Sequence, residues 1–359
     1  MVKNILHLCL PQADNLGDHL AHLAVEQLIK NAAPEQEFLF HKIDLLEQRQ
    51  NLAYLDDELD HINQNYDAIV IGAGGLLSPG LINHVFLNPA CWQQVNKPIF
   101  ILGVGVIGNY TNPNHNLSIN SETQKHLIAA INRADLISVR DMPTRLVCEK
   151  ILSLSQKKND HLFFTGCPTL VDCKAKTPLP KKWDWGINIP LLHGNTKDHQ
   201  GPLLVTAEMI MRNVPNTVWI CHSAQEQEHA NKFKKDTKLD FDVIRPTTFS
   251  EVGELYAQIN QALVTKAHAG YFCLANNVPF GMISYDMKCD ALLQMITDFP
   301  IDFSVHIHHL NELDFSKRIQ NIMRNTLEYK EELQQGQNTL LNFYMDENKK
   351  LSISIKNTI

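Results

Sequence analysis

The feature that most constrains this chain is an alternation that occurs twice. Short, almost unbroken apolar runs are separated by helix-length amphipathic segments. In the first half the runs are ILHLCL (5–10), EFLFHKI (37–43), AIVIG (68–72), IFILGVG (99–105), LISVR (136–140) and HLFFTG (161–166). In the second they are GINIPLL (186–192), TVWICH (217–222), FDVIRP (241–246), ALVTK (262–266) and FGMISY (280–285). A run that is apolar throughout is buried on both faces, and such strands with helices between them form parallel sheets. A chain of 359 residues is also too long for one ordinary core. The expected fold is therefore α/β: two doubly wound Rossmann-like domains facing a cleft. The first domain is expected at 1–175 and the second at 183–310, joined through CKAKTPLPKKWDW, which has no apolar periodicity. A polar, helix-prone tail at 311–359 could pack back across the first domain.

Composition narrows the partners. A formal charge of −7 with scattered basic residues argues against nucleic acid, which needs clustered Lys and Arg. No apolar run approaches the roughly 20 residues of a bilayer span, so no transmembrane segment is expected. The N-terminal apolar stretch is short, lacks a small-residue cleavage site and reads as a first strand. The eight cysteines form no CxxC pair, and several lie inside apolar runs. That pattern fits reduced, buried thiols in a cytoplasmic protein better than a disulfide framework or a zinc site. VHIHHL (305–310) has no Cys or carboxylate partners nearby, and no metal is expected.

In sheets of this kind ligands bind beyond the carboxyl ends of the strands, so the residues there carry the chemistry. After the first strand come Asn15, Gly17 and Asp18, just before a helix. Asp18 reads as a helix cap and Gly17 as a turn. The functional alternative is a tight loop offering N–H groups to an anion or to sugar hydroxyls. After the third strand come Gly72, Gly74 and Gly75, and after the fourth Gly103, Gly105 and Gly108, where glycine permits close approach. The second cluster matches a dinucleotide fingerprint as a string. It follows a late strand, opens no good helix and lacks a following strand-end acid, so that reading is set aside. Arg140 ends the fifth strand, placed either for an ion pair or for a carboxylate or phosphate. In the second half His193, His222 and Ser223 sit at strand ends. Lys266 and His268 follow a probable central strand, with Tyr285 and Lys288 after the next, making a local positive site.

The ordered set NLGD, GAGG, LGVG, ADLISVRD, TGCPTLVD and TKAHAGYFCLANNVPFGMISYDMK resembles the polysaccharide pyruvyl transferase family over about residues 5–290. That resemblance implies a two-Rossmann architecture like GT-B glycosyltransferases. It implies an enzyme of cell-surface polysaccharide synthesis, exopolysaccharides included, moving the enolpyruvyl carbons of phosphoenolpyruvate onto a sugar and commonly forming a ketal. Phosphoenolpyruvate is then the donor substrate and no separate cofactor is expected. The acceptor is a glycan, in this family lipid-linked at the inner membrane face. Two departures stand out: Lys266-Ala267-His268 replaces the usual Arg-x-His, and Ala73 interrupts a glycine cluster that is usually richer. Lysine keeps the charge and loses the bidentate fork.

On this reading Lys266 and Arg140 hold the donor's carboxylate and phosphate from opposite domains, with Lys288 and Tyr285 beside them. His268, with a reference pKa near 6.5, moves protons. Asn15, Gly17, Asp18, Gly72, Gly74, Gly75 and Gly103 shape the acceptor side. The fold equally hosts glycosyltransferases that use a nucleotide sugar, and a carbohydrate-binding protein without catalysis is a further alternative.

Overall fold

The computed structural model describes residues 2–11, 14–45, 58–77, 93–106, 121–156, 159–192, 194–309 and 315–359. The chain divides into two compact units. One comprises Met1–Ala13, Asp18–Pro168 and Phe343–Ile359, and the other Asp14–Gly17 and Thr169–Asn342. The boundary expected near residue 175 therefore falls at Pro168/Thr169. The tail divides at Asn342/Phe343, and the short turn Asp14–Gly17 belongs with the second unit.

The first unit contains β1 (Val2–Cys9), α1 (Leu16–Ala32, shared with the turn), β2 (Glu37–Asp44), α2 (Leu59–Asn65), β3 (Ala68–Leu77), β4 (Ile99–Val106), α3 (Ser121–Arg133), β5 (Leu136–Val139), α4 (Met142–Leu154) and β6 (Leu162–Phe164). Its six strands are parallel in the order β2-β1-β3-β4-β5-β6. β3 and β4 are buried at every position, as two-sided coverage by helices requires. Ile5, Val25, Ile29, Val70, Phe100 and Leu102 form the core of this unit, joined by Leu351 and Ile355 from the chain's last helix. The glycine clusters do not form loops after these strands. Gly72, Gly74 and Gly75 lie within β3, and Gly103 and Gly105 within β4. The strands run on because a position without a side chain lets them approach: a methyl at Gly72 would lie 2.0 Å from the Leu102 carbonyl oxygen. Gly108 lies outside the described residues.

A second core occupies the second unit, built on Ile187, Leu203, Trp219, Leu263, Ile283 and Ile319. Its elements are α5 (Thr169–Asp172), β7 (Trp183–Asn188), α6 (Gln200–Asn213), β8 (Thr217–Ile220), α7 (Ala224–Thr237), β9 (Asp242–Ile244), α8 (Phe249–Ala257), β10 (Ile259–Val264), α9 (Ala267–Ala275), β11 (Phe280–Ser284), α10 (Met287–Gln294), β12 (Ser304–His306), α11 (Phe315–Glu328) and α12 (Lys330–Thr358), the last continuing into the first unit. The strands are again parallel, in the order β12-β11-β10-β7-β8-β9. β7 begins three residues earlier than its apolar run, inside the stretch read as a linker. Trp183 and Trp185 alternate inward there, and their polar neighbours interrupt the apolar pattern. β12 was not anticipated, because three residues are too few to register as a run.

The described cysteines are all buried and none is in a disulfide. Burial pushes the Cys148 and Cys289 thiols up to about 12, so they remain protonated. Among the described residues no helix is long and apolar enough to cross a membrane.

Buried charge in the first unit gives a pH prediction. His7 contacts the Gly72 carbonyl through Nε2 (2.7 Å) and Glu26 through Nδ1 (3.1 Å), and Lys42 lies 2.9 Å from the same Glu26 oxygen. His22 packs beside His7 and His19 with ring centroids 6.2 and 5.4 Å away. Burial, then the Lys42 and His7 charges, lower its pKa to about 4. The unfolded chain takes up this proton near pH 6.5 and the folded protein only near 4, so stability falls as pH drops through that window. The unfolding midpoint is expected to fall by more than about 3 °C from this residue. His22→Phe should flatten that part of a melting curve measured from pH 7 to 4. An unchanged pH dependence would assign the loss to other groups.

Candidate active site

In the second unit the chain winds from β7 outward through β8 and β9, then returns to β10 on the other side of β7. The β7/β10 junction is thus the topological switch point, where open α/β sheets leave a crevice. Asn188, the last residue of β7, is fully buried and braces this junction. Its Nδ2 donates to the Ile220 carbonyl (3.0 Å) and its Oδ1 accepts the Lys266 backbone N–H (3.3 Å). Lys266 is the N-cap of α9, and its side chain, a donor only, makes no capping bond to that helix.

A cavity of about 490 Å³ opens here, lined by Asp14, Asn15, Pro190–Leu192, Ser223, Gln225, Glu226, Lys266 and Tyr285. Lys266 is the single cation in that lining among the described residues. Its Nζ lies 2.5 Å from Glu226 Oε1, while Glu226 Oε2 accepts the His222 backbone N–H at 2.6 Å. Ser223 caps α7 by accepting the Glu226 N–H (3.1 Å). Asp14 accepts the N–H of Ala224 at 3.4 Å. Both carboxylates of the lining are therefore held by donors at the start of α7.

The turn Asp14–Gly17 docks directly on this site. Leu16 donates its N–H to the His222 carbonyl (2.8 Å), and Asn15 Oδ1 accepts the Gly17 N–H (3.2 Å). Asn15 therefore plays the capping part expected of Asp18, which instead lies inside the first turn of α1. Gly17 faces the His268 ring so closely that a methyl there would lie 2.1 Å from Cγ and Nδ1. His268 is buried and stacks on Phe272, with centroids 6.4 Å apart at 26°. Behind it His222 is enclosed, its Nε2 3.3 Å from the Tyr256 hydroxyl. Burial, then the charges of Lys266 and His268, hold this imidazole well below its usual value and therefore neutral. Tyr285 lines the cavity, and Lys288 sits 5.8 Å from its ring centroid and 3.8 Å from Asp286.

The structure thus brings Asn15 and Gly17 together with Lys266, His268 and Tyr285 in the second unit. Their place in the sequence put Asn15 and Gly17 in the first domain; the structure groups them with the second unit. Asp18, Gly72, Gly74, Gly75, Gly103 and Arg140 belong to the first unit. Arg140 crosses Gly105, where a methyl would lie 2.1 Å from Nε, and is almost fully buried. Its Nε donates to Asp141 at 3.3 Å. Asp141 also caps α4 by accepting the Thr144 N–H (3.0 Å). The ion-pair alternative for Arg140 is therefore present. His193 lies outside the described residues. Glu226 and Asn188 were not singled out in the sequence. Ser223-Ala-Gln-Glu226 does carry a capping signature, which announces a helix start but not a partner for Lys266.

A family model described as polysaccharide pyruvyl transferase matches residues 15–287. The chain belongs to the polysaccharide pyruvyl transferase family. The match begins at Asn15 and ends just past Tyr285, so of the residues lining the cavity it leaves out Asp14 alone. A search of curated proteins gave no significant match. Among solved structures, the UDP-GlcNAc 2-epimerase from Neisseria meningitidis bound to UDP-GlcNAc is similar at TM-score 0.55 and 11% identity, over 98% of this chain and 99% of that one. Sucrose-phosphate synthase from Thermosynechococcus elongatus gives 0.55 and 12%, over 97% and 98%. The Methanocaldococcus jannaschii UDP-GlcNAc 2-epimerase in complex with UDP-GlcNAc and UDP gives 0.52 and 9%, over 91% and 93%. At such identities the likeness shows the fold alone: this chain, with two parallel six-stranded sheets, is GT-B-like, as these epimerases and glycosyltransferases are.

Proposed function

We propose that this family member transfers the pyruvyl group of phosphoenolpyruvate onto two hydroxyls of a glycan, forming a ketal. The observation that carries the reading is the cavity at the second unit's switch point. There Lys266 presents an ammonium between the N-termini of α7 and α9, and His268 follows two residues later. A donor with a carboxylate and a phosphate needs a cation and helix N-termini, and both are at this edge.

In the reaction a proton is added to the donor's methylene carbon and the sugar hydroxyl adds to the neighbouring carbon, losing its own proton. The C–O bond to phosphate then breaks, phosphate leaves with its electron pair, and a second hydroxyl adds to the same carbon, losing its proton, to close the ketal. We assign the proton transfers to His268, and stabilisation of the donor's negative charge to Lys266. Arg140 and Lys288 are proposed as further anion contacts, Arg140 once its pairing with Asp141 is shared with the donor. Asp18 and the glycine-bearing ends of β3 and β4 are proposed for the acceptor, a glycan that in this family is lipid-linked. A cytoplasmic enzyme, peripheral at the membrane face, fits that acceptor.

The test is a thermal-shift titration with phosphoenolpyruvate beside UDP-GlcNAc and UDP. A ligand that binds only the native protein raises the midpoint by mass action, about 2.7 kcal/mol at a hundredfold excess over Kd. Phosphoenolpyruvate is expected to stabilise the wild type and to lose that effect in Lys266→Ala. A shift with the nucleotide alone would replace this reading with nucleotide-sugar transfer.

A further inference from the structure

We propose that Glu226 is a positioning residue that aims the Lys266 ammonium into the cavity. The inference deepens the pyruvyl-transfer reading, because it rests on Lys266 as the donor's anion contact. A lysine carries its charge on a flexible four-carbon stem with a freely rotating head, whereas arginine's planar fork orients itself. A single lysine that must meet a small anion in one geometry therefore needs an external brace.

Glu226 has the geometry of a brace. It is almost fully buried. One carboxylate oxygen is fixed by the His222 N–H (2.6 Å), and the other meets Lys266 Nζ (2.5 Å). His222 is itself held in place, since its carbonyl accepts the Leu16 N–H. The carboxylate thus cannot follow the lysine; the lysine follows the carboxylate. One ammonium N–H points at Glu226, which leaves two for a ligand.

The same chain provides a comparison within its own fold. At the start of α8, Thr248 accepts the Glu251 N–H (3.3 Å), and Glu251 Oε2 accepts the Thr247 N–H (2.7 Å). That is the arrangement of Ser223, Glu226 and His222, one helix further along. Glu251, however, is exposed, and the contacts it makes with Thr247 go through that single oxygen. Capping a helix accounts for Glu251 in full. It does not require the burial of Glu226 or the second oxygen's contact with the cavity's cation.

The experiment compares wild type with Glu226→Gln, Glu226→Asp and Glu251→Gln. Glutamine retains an oxygen for the His222 N–H and loses the charge. Aspartate retains the charge and loses the reach. The first readout is the rate of Lys266 acylation by acetic anhydride at pH 8, measured by peptide mass spectrometry on the folded proteins. An ammonium clamped against a carboxylate is shielded. Both Glu226 variants are expected to raise the rate about tenfold, and Glu251→Gln to leave it unchanged. An unchanged rate in both folded Glu226 variants overturns the proposal, whatever the protein's substrate.

The second readout is turnover of phosphoenolpyruvate. In Glu226→Gln, kcat is expected to fall at least tenfold while KM for phosphoenolpyruvate does not rise, because a repelling charge is removed as the aim is lost. A purely structural role would lower the melting temperature and leave that split absent. If acylation changes while the wild type shows no turnover with phosphoenolpyruvate, the brace stands and the donor assignment falls.

Discussion

Gly17→Ala is expected to lower kcat/KM by about a hundredfold or more, although the change adds a single methyl group. That methyl would lie 2.1 Å from two His268 ring atoms and 2.6 Å from His268 Cβ, distances at which something must move. The ring has little room to retreat, since it is buried and stacked on Phe272. The alternative is for the turn to lift, which breaks the Leu16 N–H bond to the His222 carbonyl and shifts Asn15 on the cavity wall. Either response misplaces a group at the site. Overpacking of this kind also costs about 1–3 kcal/mol of stability. Gly201→Ala is the control: it lies in α6 with no atom near its added methyl and should change neither rate nor melting temperature for the worse. Steady-state rates and thermal melts of both variants decide the matter. A Gly17→Ala enzyme with native kinetics would mean that His268 can be moved without consequence.

The second large effect is expected at His268 itself. His268→Ala should lower kcat by about 10²–10⁴, the range for loss of a positioned acid–base group, with a smaller change in KM for phosphoenolpyruvate. The side chain is packed as well as chemical, so alanine leaves a cavity and the melting temperature will drop. His268→Gln separates the two contributions, because it fills more of the space and cannot exchange a proton near neutrality. Equal losses in the two variants, with the glutamine protein melting closer to wild type, assign the effect to proton transfer. A glutamine variant with full activity would remove His268 from the chemistry and leave it as a wall for Gly17.

Much of the fold was legible because its elements declare themselves locally. Ile99–Val106 is apolar nearly throughout, and a strand covered on both faces has no other way to look. Trp183–Asn188 was misread at its start because its inward tryptophans alternate with Asp184 and follow two lysines. The glycine clusters announced close approach, but a lone residue cannot say what approaches it. For Gly72 it proved to be the neighbouring strand, for Gly105 the Arg140 side chain and for Gly17 the His268 ring. Arg140 was legible as a strand-end cation. That Asp141, the next residue, both caps α4 and takes its Nε–H depends on side-chain direction, which spacing does not encode.

The site divides along the same line. Lys266 and His268 stood out because a strand ended and a helix began around them, both consequences of nearest-neighbour pattern. Asn15 and Gly17 stood out for the same reason, some 250 residues earlier. Nothing local could join them, because they follow strands of two different sheets. What holds the turn there is the Leu16 N–H bond to the His222 carbonyl just beyond β8, with Gly17 against the His268 ring. Glu226 shows the limit best. Its capping pattern is identical in sequence logic to that of Glu251, yet one carboxylate is buried against a lysine and the other faces water. By itself the sequence determined two parallel α/β units and the strand ends at which chemistry belongs, because burial and periodicity are local. Which of those ends meet, and which carboxylate holds the cation, only the tertiary structure decided, because that depends on the packing of segments the chain keeps far apart.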